Sequence, residues 1–163
     1  MYNSLIMAYC KKNEALNAEK VLKEMELAGL KADEVSYTTV IDAYKRESNF
    51  PRCWELYDQF RFAGGEPDEF MYSFMVRLCA STHDAEQALK IYRQMEARGF
   101  LATAPNYNSI IFALGSRKMY ANDAITIWRK MQGEEVIPDR HTCIGVLKAC
   151  AKIGDVNTAN DVL

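Results

Sequence analysis

The chain is 163 residues long, with 49% hydrophobic and 26% charged residues, 8 Gly and 4 Pro. That composition excludes a disordered, collagen-like or low-complexity chain, and no apolar run approaches the ~18 residues of a membrane helix. With 20 Lys+Arg against 22 Asp+Glu the net charge is −2, which excludes binding by bulk positive charge but allows a basic stripe on one face. Cys10, Cys53, Cys79, Cys143 and Cys150 are odd in number and form no CxxC pair, so a reducing compartment is expected rather than a disulfide scaffold. His83 and His141 stand far apart, with no metal-ligand spacing pattern around either, and neither a metal nor a cofactor is expected.

The opening MYNSLIMAYCKK has no charged leader and no small-residue cleavage site, so it reads as structure and not as a targeting segment. Its string YNSLIMAY, from Tyr2, returns as YTTVIDAY from Tyr37, YSFMVRLC from Tyr72 and YNSIIFAL from Tyr107, each 35 residues after the last. A fifth copy, TCIGVLKAC from Thr142, is displaced by one extra residue and puts Cys143 in the tyrosine position. Other columns share the period: Ala18, Cys53, Ala88 and Ala124 are small; Met25, Phe60, Met95 and Met131 are large; Gly29, Gly64 and Gly99 follow. Such repetition at a fixed period marks a repeat architecture.

Within each repeat two apolar stretches have helical spacing. In the second, Val40, Ile41 and Tyr44 share one face, and Trp54, Leu56, Tyr57 and Phe60 form another. Short polar hinges such as ESNFP and STHD separate the two. The glycine column suits a helix C-terminus, and Asp33, Asp68 and Asp139 suit the N-cap of the next helix, with Pro67 and Pro138 reinforcing the break. Period-two alternation and Asn-Gly turns are missing, so the fold class expected is all-α. One hairpin cannot bury its apolar face alone. Stacked hairpins can, which predicts an α-solenoid with a concave surface lined by the first helix of each pair. The boundaries expected are a partial repeat at 1–33, full repeats at 34–68, 69–103 and 104–139, and a partial repeat at 140–163, all in a single array over 1–163. Met1 enters at the third residue of a repeat and Leu163 falls within a second helix, so a longer array is expected.

A 35-residue helical hairpin with Y-N-x-L-I near its start, an early alanine in the second helix, Met before Gly and a closing P-D resembles the pentatricopeptide repeat. The tetratricopeptide repeat has a period of 34 and a Trp/Gly/Tyr pattern that is missing here. The resemblance implies a right-handed superhelix with a concave groove, and single-stranded RNA bound at about one base per repeat in mitochondria or plastids. It also implies that the fifth and last residues of a repeat contact the Watson–Crick edge. The pairs are then Asn3 with Asp33, Thr38 with Asp68, Ser73 with Thr103, and Asn108 with Asp139. Ile144, the fifth residue of the last repeat, departs from the pattern.

An amide paired with a carboxylate suits uracil, and Thr38 with Asp68 suits the N–H donors of guanine. The Ser73/Thr103 pair leaves its base open. Read 5′ to 3′ along the chain, the implied site is U-G-x-U. The second-residue column, Val35, Phe70, Pro105 and His141, would clamp base faces, at ~1–3 kcal/mol per stacked base. Lys11, Arg46 and Lys152 would face phosphates, a stripe that Ser81 and Ser116 interrupt. Plainer readings stand beside these. Capping alone explains the Asp column at ~1 kcal/mol each, and the tyrosines and cysteines read as packing. The acidic residues Glu34, Asp42, Glu47, Glu55, Asp58, Glu66 and Asp68 read as a solvated face, although Asp42 in a groove would repel phosphate. With no phosphate loop and no nucleophile beside a base, a binding protein is expected and not an enzyme. The partners expected are single-stranded RNA and, as the alternative, proteins of a ribonucleoprotein such as an organellar ribosome that the solenoid would scaffold; no membrane is expected.

Overall fold

The computed structural model describes residues 1–162, and the residues described form ten α-helices and one turn of 3₁₀ helix, with no strand among them. The sequence-based placement of a second helix at Leu163 lies outside the described residues. In chain order the helices are α1 (Tyr2–Lys11), α2 (Ala15–Leu27), α3 (Glu34–Arg46), α4 (Phe50–Phe62), α5 (Glu69–Thr82), α6 (Ala85–Ala97), α7 (Ala104–Gly115), α8 (Ala121–Gly133), α9 (Arg140–Ile153) and α10 (Val156–Val162). The chain divides into two compact bodies, Met1–Met71 and Tyr72 onward, with the boundary inside α5.

In the N-terminal body α1 packs on α2, α3 on α4, and α3 also lies against α1 and α2. The small column does what its size allows, since Ala18 and Cys53 are fully buried where the paired helices approach. Ile6, Leu22, Val40, Ile41, Tyr44, Leu56, Tyr57 and Phe60 fill the space between layers, while Trp54 is half-buried and meets the edge of Tyr57. Tyr37 is buried with its ring 5.2 Å from that of Phe60, and its hydroxyl donates to Glu26 Oε1 at 2.6 Å. A buried phenol needs such an acceptor.

Glu19 is 4% exposed in the same body and holds three helices together. Arg52 grips its carboxylate with Nη2 at 2.5 Å and Nε at 3.0 Å, and the Tyr44 hydroxyl donates to it at 2.7 Å. Lys23 Nζ adds an ion pair at 2.6 Å.

In the C-terminal body α7 packs against α6, α8 and α9. Tyr107 repeats the pattern of Tyr37, fully buried with its hydroxyl donating to Glu134 Oε2 at 2.7 Å. Tyr72 is buried beside Phe100. Gly115 and Gly145 let α7 and α9 meet closely: a Cβ on Gly115 would strike the Gly145 carbonyl oxygen.

The turns repeat as faithfully as the helices. Asn13, Ser48 and His83, each at the hinge inside a hairpin, adopt left-handed φ of 57°, 58° and 53°. Gly154, at φ 75°, belongs to this hinge column and not to the glycines that end second helices. The extra residue of the fourth repeat is absorbed in its hinge, where a 3₁₀ turn, Lys118–Tyr120, replaces the single left-handed residue. Gly29, Gly64 and Gly99 have φ of 76°, 78° and 81°, and Glu135 takes the equivalent position at φ 58° without a glycine's freedom.

Candidate functional site

Asp33, Asp68 and Asp139 each cap a first helix. Asp33 Oδ1 accepts the Ser36 N–H at 2.9 Å, Asp68 Oδ1 the Met71 N–H at 2.7 Å, and Asp139 Oδ1 the Thr142 N–H at 2.9 Å. Capping uses one oxygen of a carboxylate and leaves the other to point elsewhere. At Asp139 that second oxygen, Oδ2, accepts the Asn108 Nδ2 proton at 2.6 Å. The two members of this pair therefore meet directly, at an exposed carboxylate and a half-buried amide. Burial nudges the Asp139 carboxyl upward, but the donors of Thr142 and the His141 N–H hold it below its ordinary value, so it stays anionic. The Ser36 hydroxyl and N–H lower Asp33 in the same way.

The other pairs are arranged differently. Asn3 reaches Asp33 through Ser36, whose hydroxyl lies 3.0 Å from Asn3 Oδ1 and 2.6 Å from Asp33 Oδ1 and shares one proton between them. Thr38 is 6% exposed and donates to its own helix at the Glu34 carbonyl (2.6 Å), so only acceptor lone pairs remain to it. Ser73 is held by Asn106, whose Nδ2 donates to Ser73 Oγ at 3.0 Å, and not by Thr103, which is exposed. Thr103 N-caps α7 without a side-chain hydrogen bond. Ile144 is half-buried.

The second-residue column is outward throughout: Val35 and Phe70 are 61% and 62% exposed, and Pro105 and His141 are exposed as well. Between Pro105 and His141 opens a cleft of about 450 Å³, lined also by Asn108, Ser109, Phe112, Ala80 and Ser81. Its walls are mostly apolar or aromatic, and the Asn108 amide and the Ser81 and Ser109 hydroxyls supply polar atoms.

Of the three candidate phosphate contacts, Lys11 and Lys152 are exposed. Arg46 is committed elsewhere: its Nη1 donates to the Cys10 carbonyl at 3.0 Å and to Asn13 Oδ1 at 3.1 Å, and its Nε lies 3.2 Å from Asp42. Asp42 is thus a partner of Arg46 and not a bare charge. Ser81 and Ser116 donate back to the carbonyls of Arg77 and Phe112 in their own helices.

Two sets of residues were not singled out from the sequence. Ser36, Asn106 and Thr142, the third residues of their repeats, each bond the fifth residue of the repeat before. Arg77, Phe112 and Lys148 form a further periodic column, with the Lys148 ammonium 4.7 Å from the Phe112 ring centroid and the His83 ring 5.4 Å from it. The period alone could have found the second set, because these positions keep the repeat spacing.

The family model described as "Pentacotripeptide-repeat region of PRORP" matches residues 41–163, and that of the "PPR repeat family" matches residues 1–46. The chain belongs to the pentatricopeptide repeat family. Among relatives of this pentatricopeptide repeat chain, a mitochondrial 15S rRNA processing factor (ppr3) of Schizosaccharomyces japonicus is 26% identical over 160 residues, covering 95% of the chain and 24% of the relative. A putative pentatricopeptide repeat-containing protein of Arabidopsis thaliana (At3g05240) is 28% identical over 154 residues, covering 94% of the chain and 26% of the relative. The chain therefore spans about a quarter of the length of these curated relatives. The PPR domain of Arabidopsis thaliana protein-only RNase P 1, solved in complex with tRNA, superposes with a TM-score of 0.80 at 20% identity over 99% of the chain and 87% of that domain. The pentatricopeptide repeat protein PPR10, in complex with an 18-nt psaJ RNA element, gives a TM-score of 0.65 at 20% identity over 99% of the chain and 26% of PPR10. At this identity the likeness shows the fold, an all-α solenoid of helical hairpins.

Proposed function

We propose that this chain binds single-stranded RNA, reading about one base per repeat, with the repeats divided at 34–68, 69–103 and 104–139 and partial repeats at 1–33 and 140–163. The observation that carries the reading is Asn108, bonded to Asp139, lining a cleft together with Pro105 and His141. Asn108 with Asp139 and Asn3 with Asp33 read U, Thr38 with Asp68 reads G, and the base at Ser73/Thr103 is open, so the site is U-G-x-U. Thr38 suits G because its proton is spent on Glu34, leaving lone pairs for the guanine N1–H and N2–H. Val35, Phe70, Pro105 and His141 stack on base faces. Lys11, Lys152 and Lys148 draw the phosphates, with Arg46 contributing least because it is already paired.

Relatives named as mitochondrial 15S rRNA processing factors and as a chloroplastic pentatricopeptide repeat protein support RNA as the ligand and an organelle as the place of work. Processing, stability, editing or translation of an organellar transcript is the role in view. A protein-binding scaffold within a ribonucleoprotein is the second reading, favoured by the net charge of −2 and the capture of Arg46.

Fluorescence anisotropy with a labelled RNA carrying U-G-A-U, against one with the G replaced, tests the reading at ~100 mM salt, where phosphate attraction is moderate. Tighter binding of the first by ~1 kcal/mol or more, and a changed second base in the T38N/D68S variant, supports base reading. Equal or absent binding of both points to the protein scaffold.

A further inference from the structure

Base reading by the fifth residue requires that residue to be fixed in orientation, and an asparagine amide has two orientations of nearly the same shape. Rotation by half a turn exchanges its oxygen and its NH₂, and with them acceptor and donor. The third residue of the next repeat removes that freedom. The Thr142 hydroxyl accepts the Asp139 N–H at 3.2 Å within a capping box, and it shares its one proton between Asn108 Oδ1, which it lies against, and Asp139 Oδ1 at 3.1 Å. The Asp139 carboxylate, an acceptor only, holds Asn108 Nδ2 on the other side at 2.6 Å. Two anchors on one planar amide set both its flip and its plane. What remains for a ligand is one Nδ2 proton beside one Oδ1 lone pair.

That edge complements uracil, where O4 accepts and the neighbouring N3–H donates. Cytosine presents the reverse at the same two atoms, an N4 donor beside the N3 acceptor. It would require the amide to turn its oxygen toward the Asp139 carboxylate.

The same position recurs. Ser36 links Asn3 to Asp33, and Asn106, fully buried, donates to Ser73 while its own Oδ1 has no hydrogen-bond partner. A fully buried amide kept with an unsatisfied oxygen is costly as packing, and its one bond goes to the base-reading side chain. Where the third residue is Met71, Thr38 bonds its own backbone instead. We propose that the third residue of each repeat is a positioning residue for base choice: Thr142 sets the amide of Asn108, and Ser36 that of Asn3, so that each discriminates U from C. This rests on the base-reading function above.

The test compares wild type, T142S, T142V and S36A by anisotropy with RNAs carrying U-G-A-U, U-G-A-C and C-G-A-U, with helix content followed by circular dichroism. Wild type and T142S should favour U over C at the fourth base. T142V should narrow that ratio by about fivefold, the worth of one hydrogen bond, while leaving the ratio at the first base unchanged. S36A should do the converse. If T142V weakens all three RNAs equally, or leaves the fourth-base ratio intact, Thr142 is only a cap and the proposal fails. Should T142V lose helix content, S36A decides alone, because Ser36 keeps the N–H that Asp33 accepts; an unchanged first-base ratio overturns the proposal. Wild type that binds RNA without separating U from C, or binds none, overturns the base-reading function itself and the positioning role with it.

Discussion

Replacing Arg52 with methionine removes the main partner of a carboxylate that has almost no access to water. Glu19 is 4% exposed. Burial alone would push its pKa up, yet hydrogen bonds from Arg52, Lys23 and Tyr44 take it from 4.5 down to about 2. That displacement corresponds to about 3 kcal/mol of preference for the ionised form in the folded chain. Lys23 and Tyr44 survive the substitution, but the Lys23 side chain is 56% exposed and weakly held. The expected loss is therefore about 3 kcal/mol, at the low end of the 3–5 kcal/mol seen when a buried ion pair is broken on one side.

The pH dependence follows from the sign of the shift. A carboxylate whose folded pKa lies below its unfolded value stabilises fully above about 4.5 and loses that contribution as pH falls toward 2. The gap between wild type and R52M should be full at pH 7 and shrink as pH drops below about 4. Urea unfolding followed by circular dichroism at pH 7 and pH 3 measures both. A gap under ~1 kcal/mol at pH 7, or one that does not change with pH, would refute the account of Glu19 as a buried, Arg52-dependent anion.

Glu135 holds a left-handed φ of 58° where the other repeats have glycine, so E135G should stabilise the chain by about 1 kcal/mol and raise the melting temperature by about 2–4 °C. G115A should cost about 1–3 kcal/mol by driving a methyl into the Gly145 carbonyl, and it should weaken ligand binding at the cleft between Pro105 and His141; unchanged stability would show that α7 and α9 can separate freely. Burial pushes the Cys53 thiol up to about 11 and Cys79 up to about 12, so at pH 8 both should resist a thiol reagent until urea unfolds the chain, while the half-buried Cys143 reacts first.

The period of the sequence carried most of the fold, because a position buried in one inner repeat is buried again in the next, with Tyr2, Met25 and Cys143 of the outer repeats only half-buried. Tyr37, Tyr72 and Tyr107 are all core residues, as are Ala18, Cys53, Ala88 and Ala124. The choice between capping and ligand contact for the Asp column was not decidable from residue type, since a carboxylate has two oxygens; at Asp139 one caps and the other meets Asn108. Ser36, Asn106 and Thr142 stayed hidden for a different reason. Their side chains share a hydrogen-bonding task but not an appearance, and the task spans two repeats. The partners of Arg46 were not legible from its column, because Asp42 one turn earlier and the Cys10 carbonyl take up its guanidinium. The turn at Lys118–Tyr120 was beyond reach in its form: the columns place the extra residue between Tyr107 and Ala124, but not that a 3₁₀ turn absorbs it.

If one residue pair chooses one base, a single substitution exchanges the base. The Thr38/Asp68 and Asn108/Asp139 pairs share the carboxylate and differ in the other member, so N108T should change the fourth base from U to G. Anisotropy with U-G-A-U and U-G-A-G RNAs should show wild type favouring the first, and N108T the second, each by about 1 kcal/mol or more. An unchanged order of preference in N108T, with both proteins folded and binding, would contradict the account.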